Sequence, residues 1–233
     1  IFSPYYHAGA ELSYTFSEKV FAKVLVANGY GINGFVDNNR NKAAGWQVRY
    51  TPTDKHIIQA SALYSDETPD SVYDNLGGDD DKFYRLYHTL FYKYQRENFR
   101  AAIGADFGVQ MNTDTLTEAG VQQAAYLWSG LIAAKYYPLD WLGVYARTAF
   151  FNDQFHFVSG DPRYEITWEQ TAGVEFRPTN WSYVRAEGRY LQANENENIF
   201  RKDGGVRKNW RWEAMITAGV FFESGNLIPQ RKR

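Results

Sequence analysis

Between residues 3 and 30 the chain reads SPYYHAGAELSYTFSEKVFAKVLVANGY, and Tyr6, Ala8, Ala10, Leu12, Tyr14 and Phe16 fall on every second position. A period of two belongs to a β-strand, whose successive side chains stand on opposite faces. The same alternation recurs along the chain and predicts eleven strands, at about 5–16, 20–30, 43–51, 56–65, 82–95, 99–111, 124–137, 142–152, 165–177, 181–192 and 209–222. No helical period competes with it. The connections alternate between tight turns (SEK, PTDK, REN, LD, TN) and long polar segments around 31–42, 66–81, 112–123, 153–164 and 193–208, rich in Asp, Asn and Gly. Short turns at one end of a meander and long loops at the other are the layout of an antiparallel transmembrane β-barrel of the outer-membrane type.

The faces can be assigned by charge. In each strand the more apolar register, such as Val20, Ala22, Val24 and Val26, or Trp210, Trp212, Ala214, Ile216, Ala218, Val220 and Phe222, carries no Asp, Glu, Lys or Arg, although 22% of the chain is charged. The opposite register holds Glu11, Lys23, Arg49, Arg85, Lys93, Arg100, Asp106, Lys135, Arg147, Glu169, Glu175, Arg177, Arg185, Glu187, Arg189, Arg211 and Glu213. So many charges cannot occupy a dry core, whereas a water-filled lumen solvates them. The apolar face therefore points outward to lipid, where a midplane Lys or Arg would cost about 2–4 kcal/mol.

Composition agrees with this arrangement. Aromatic residues make up 18% of a chain whose mean hydropathy is only −0.53. Tyr and Trp join an apolar ring to a polar tip and suit a lipid–water boundary, so Tyr5, Tyr6, Tyr136, Tyr137, Trp141, Trp181, Tyr183 and Trp210, near strand ends, read as two girdles. The absence of cysteine excludes disulfides and thiolate metal sites. A net charge of −2 gives no nucleic-acid footprint. No apolar run approaches the roughly 20 residues of a membrane helix, so any crossing is made by strands.

Enzymatic and metal chemistry find little support. The acidic segment SDETPDSVYDNLGGDDDK lacks alternating ligands closed by a Glu and reads as a solvated extracellular loop rather than a calcium site. GYGING has no helix after it to hold a phosphate. Of His7, His56, His88 and His156, only His156, near Asp153 and Asp161, could join a hydrolytic set, and proximity alone does not make one. No catalytic residue, metal or cofactor is expected.

Chain direction carries a further expectation. If the short turns are periplasmic, the strands at 5–16 and 209–222 both run downward, and bacterial barrels close antiparallel with an even strand count. The eleven strands then form the C-terminal part of a larger even-stranded barrel, with at least one strand preceding Ile1; residues 1–222 are the barrel portion and 223–233 a basic periplasmic tail.

The opening stretch, followed by DNNRNKAAGWQVRYTP, resembles the OmpL-like β-barrel porins of Bacteroidota (beta-barrel porin-2 type), which have a similar Tyr-Tyr-His-Gly strand, a short turn, a strand ending in Asn-Gly and then an Asp-Asn-Asn loop. The likeness covers about the first fifty residues and is architectural beyond them. It implies an outer-membrane barrel, longer than this chain, acting as a diffusion channel. Such barrels usually finish on the aromatic residue of the last strand, here Phe222, whereas this chain continues with ESGNLIPQRKR.

The functional expectation is a porin for small hydrophilic solutes in the bacterial outer membrane. Its constriction would be built from Arg85, Arg147, Glu169, Glu175, Arg185, Glu187, Arg189, Arg211 and Glu213, which lie close enough on neighbouring strands to form a ladder of alternating charge. That ladder could equally stiffen the wall. Lys and Arg outnumber Asp and Glu on the inward face, which gives a mild anion preference. The alternative is a structural or anchoring barrel subunit of an outer-membrane complex, with envelope proteins as partners. Tyr87, Phe91 and Tyr145 in the lumen could stack on solutes or fill space.

Overall fold

The computed structural model describes residues 8–29, 41–66, 84–111, 124–155, 166–194, 200–201 and 207–221. Eleven strands form one sheet: β1 (Gly9–Ser17), β2 (Val20–Ala27), β3 (Ala43–Thr53), β4 (His56–Asp66), β5 (Tyr84–Gln95), β6 (Phe99–Gln110), β7 (Ala125–Leu139), β8 (Leu142–Asn152), β9 (Ile166–Thr179), β10 (Ser182–Ala193) and β13 (Trp210–Val220). Each pairs antiparallel with its sequence neighbours, and β13 follows β10 directly in the sheet. Between those two, β11 (Phe200–Arg201) and β12 (Arg207–Lys208) make a two-stranded ribbon of their own inside a segment expected to be loop throughout. β1 and β13 are the two edges of the sheet, they run in the same direction, and no pairing joins them among the described residues.

The short turns form as expected, and their chemistry recurs. At three of them the Ser or Thr that ends the incoming strand turns its hydroxyl toward the exposed backbone N–H groups. Lys19 N and Val20 N donate to Ser17 Oγ (3.3 and 3.2 Å), Lys55 N to Thr53 Oγ1 (3.3 Å) and Trp181 N to Thr179 Oγ1 (3.3 Å). The ladder irregularities, at Thr15/Ser17, Tyr50/Thr53, Tyr136/Leu139 and Ser182/Val184, also lie at this rim, where bulges let steeply tilted strands turn back. They carry β7 and β9 two residues past their expected ends.

Register transmits one choice of face around the sheet. Ile103, Ile132, Thr148, Gln170, Tyr190 and Trp212 are cross-strand partners at one level of one face. Lys93, Ala102, Ala133, Arg147, Thr171, Arg189 and Glu213 are partners on the other. Every charge assigned inward from the sequence lies on this second face. Its side chains reach across an intervening strand: Tyr145 Oη of β8 donates to Glu187 of β10 at 2.8 Å, and Lys135 of β7 meets Glu175 of β9 at 2.6 Å. Ring contacts on the apolar face join adjacent strands, as in Trp128–Phe150 and Phe150–Trp168, both at 4.4 Å. Converging side chains mark the charged face as the concave one.

The convex face exposes large apolar groups with nothing over them: Ile216 is 79% exposed, Leu12 73% and Trp212 68%. An apolar surface of this extent is stable against hydrocarbon and not against water. Polar residues do occur there, all uncharged at mid-height. Gln170 Nε2 donates to Thr148 Oγ1 at 2.6 Å, and His88 stands level with Phe107 and Trp128. Asp66 is the one charged residue of outward parity in the described strands of the eleven-stranded sheet. It sits at the long-loop end of β4, buried, and accepts a hydrogen bond from Asn41 Nδ2 at 3.0 Å.

Two girdle assignments are corrected. Tyr137 and Tyr183 share the parity of Lys135 and Arg185 and point into the concave side; consecutive residues such as Tyr136 and Tyr137 cannot both face lipid at a period of two. Tyr136, Trp141, Trp181 and Trp210 are exposed on the convex side as expected. Tyr5 and Tyr6, the long connections apart from their ends and the β11–β12 ribbon, the acidic segment from residue 67, His7, His156 and the tail 223–233 lie outside the described residues.

Candidate functional site

The charges on β7–β13 resolve into two clusters joined by one tyrosine. In the first, Arg147 pairs with Glu169. Arg189 stands between Glu169 (3.7 Å), Glu187 (3.2 Å) and Glu213 (3.7 Å), and Arg211 pairs with Glu213. Three guanidinium groups face three carboxylates, so this cluster is neutral. In the second, buried Glu175 accepts from Arg177 Nε (2.8 Å) and Arg185 Nη2 (2.6 Å) and meets Lys135 Nζ at 2.6 Å. Three cations surround one carboxylate here, which leaves an excess of two positive charges. Arg177 Nη2 also donates to Tyr137 Oη at 2.8 Å.

Tyr145 connects the two. Its hydroxyl is bonded to Glu187, while Arg185 and Lys135 lie 5.4 and 5.6 Å from its ring centroid. The ring can lie flat on the wall only because Gly173 is opposite it: a Cβ at that position would be 2.4 Å from the ring carbon and hydroxyl. Gly219 gives the same room to Tyr183, at 2.3 Å. Tyr145 is thus a member of the network, its hydroxyl committed to Glu187.

Eight of the nine residues expected at a constriction are brought together in these clusters. Arg85 is not: it lies six residues up β5 from Phe91, whose level is that of Glu169, a rise of about 20 Å, and hydrogen-bonds Gln110 at the long-loop end. Tyr137 and Lys135 are network members that the expected set lacked, while Arg177 joins the ladder as its inward parity with Glu175 predicts. Their parity with Glu175 was the available signal, overridden for Tyr137 by its place near a strand end. Asp106 is solvated differently, accepting from Thr89 Oγ1 (2.8 Å) and Ser129 Oγ (2.7 Å).

A sheet with an apolar convex face, aromatic rims and a charged concave face is the wall of a membrane-spanning β-barrel with a wet interior. The chain belongs to the family described as "Putative beta-barrel porin-2, OmpL-like", which it matches over residues 1–222. Family and fold place it in the bacterial outer membrane. Among solved structures it is similar to two of OmpT from Vibrio cholerae. The in-vitro folded form aligns at 16% identity with a TM-score of 0.52, covering 92% of this chain and 64% of that one. The outer-membrane expressed form aligns at 17% and 0.52, covering 91% and 64%. A NanC porin aligns at 12% identity and 0.44, covering 91% of both chains. This chain therefore spans less than two thirds of the OmpT chains. No curated protein matches it in sequence.

Proposed function

We propose that this chain lines a water-filled channel for passive diffusion of small hydrophilic solutes, with a mild preference for anions, in the outer membrane of a bacterium of the Bacteroidota. The observation that carries the reading is charge placement: on the described strands the concave face holds eleven Lys and Arg against six Asp and Glu. Fixed charge in a confined path acts on passing ions with incomplete screening. The neutral cluster of Arg147, Arg189 and Arg211 with Glu169, Glu187 and Glu213 serves mainly to stiffen the wall, and the cationic cluster around Glu175 supplies the field. The edges of β1 and β13 are completed by strands beyond these eleven, because unpaired backbone groups in hydrocarbon cost several kcal/mol each.

Planar-bilayer recording of the full-length protein tests this. Stepwise conductance is expected, with a reversal potential in a salt gradient displaced toward that of the anion. A reversal potential of cation sign overturns the preference. A fully inserted protein that conducts nothing overturns the channel and supports a structural or anchoring barrel.

A further inference from the structure

The concave wall has a recess of about 280 Å³ whose lining runs from β5 to β10 and includes Glu187, itself bonded to Tyr145 and Arg189, and its cations are incompletely paired. Its floor is made by Ala102 and Ala133, small side chains that leave the wall hollow at that level. Around the floor stand Lys93, Arg100 and Lys135. Arg100 and Lys135 are directly opposite one another across β6 and β7, and Lys93 is diagonal to Arg100 across β5 and β6. Like charges placed directly opposite in a sheet repel. Lys135 is compensated by Glu175, but among the described residues neither Lys93 nor Arg100 makes an ion pair; the Arg100 guanidinium only packs against Tyr137, 5.4 Å from the ring centroid. Arg147, also in the lining, has an Nε buried without a hydrogen-bond partner.

We infer that this recess is a binding subsite for small organic carboxylates. An oxyanion between Lys93 and Arg100 removes the repulsion, and a guanidinium presents two parallel N–H groups that match a carboxylate. The alanine floor and the ring of Tyr145, which also lines the recess, offer apolar surface to the hydrocarbon part of the solute. Arg100 further lines two hollows at the short-turn rim, one with Arg96 and Arg177 and the other with Arg96 and Lys55. Each hollow also holds two carboxylates, Glu97 and Asp140 in the first and Asp54 and Glu97 in the second, so Arg100 stands between the subsite and a rim of mixed charge.

The inference rests on the reading of the concave face as a lumen, and a binding measurement separates the two. Full-length protein folded in detergent is titrated by calorimetry, at low salt, with succinate, its neutral diamide succinamide, and inorganic phosphate. Succinate is expected to bind and succinamide not to. K93Q/R100Q, with correct folding checked by heat-dependent gel mobility, weakens succinate at least tenfold, R100K restores part of the loss, and K23Q/R49Q, which removes the same charge elsewhere on the wall, changes affinity less than twofold. Equal weakening in both double variants, or no succinate binding by the parent, overturns the subsite. Phosphate binding as tightly as succinate overturns the organic part of the assignment. Succinate binding by a protein that does not conduct leaves the subsite standing and removes the channel alone.

Discussion

Replacing Glu175 with Gln removes the one carboxylate that three cations share. Lys135, Arg177 and Arg185 approach it at 2.6, 2.8 and 2.6 Å, and Glu175 itself is 1% exposed. At an effective dielectric of about 20, each pair at roughly 4 Å between charge centres is worth about 4 kcal/mol before desolvation and the mutual repulsion of the cations are subtracted. Removing one partner of a buried ion pair typically costs about 3–5 kcal/mol. Two of the three cations are themselves about a third exposed to the lumen, at 37% and 34%, and water there takes up part of the unbalanced charge. The expected loss is therefore about 3 kcal/mol, on the order of a hundredfold in the folding equilibrium. Glu213→Gln is the internal comparison: it also touches two arginines, but Arg211 is 54% exposed and the cost should stay below about 1 kcal/mol. Guanidinium unfolding of full-length protein in detergent or lipid, followed by tryptophan fluorescence, measures both. Equal midpoints for the two variants would refute the claim that the Glu175 cluster is the energetically coupled part of the wall.

Three further outcomes follow from the same geometry. Gly173→Ala should push Tyr145 off the wall and break its bond to Glu187, costing about 1–3 kcal/mol, whereas Gly188→Ala, with nothing within 4 Å of the new methyl, should be within about 0.5 kcal/mol of the parent in the same unfolding assay. Ile132→Lys, on the convex face at mid-height, should lower stability in lipid by about 2–4 kcal/mol, while Leu131→Lys, its neighbour on the concave face, should cost under about 1 kcal/mol; equal costs would invert the assignment of faces. K135Q/R177Q/R185Q should move the reversal potential of the conducting full-length protein toward cations by more than R147Q/R189Q/R211Q does, because the first set carries the uncompensated charge, and the opposite ranking would return the selectivity field to the Glu169–Arg189 ladder.

Much of the fold was legible in the chain because a strand's period of two is written directly into residue type. A wall with hydrocarbon on one side and water on the other penalises every mid-strand error, so Lys23, Arg49, Glu169 and Arg211 fall on one parity and Val24, Trp46, Trp168 and Trp212 on the other. The short turns were equally plain from their Ser, Thr, Asp and Asn residues. Polar outward residues such as Gln170 and Thr148 went unforeseen, since each satisfies the other across strands and the partner is invisible along one strand. Which charges neutralise which was not legible either. Parity says that Glu175, Lys135 and Arg185 share a face, but only the register of the strands and the curvature that brings β7, β9 and β10 side chains together decide that one carboxylate serves three cations. Among the described residues the same tertiary placement leaves Arg100 and Lys93 without an ion pair beside a hollow floored by two alanines. Alternation is local and each strand reports it alone, whereas charge balance is a property of the assembled wall.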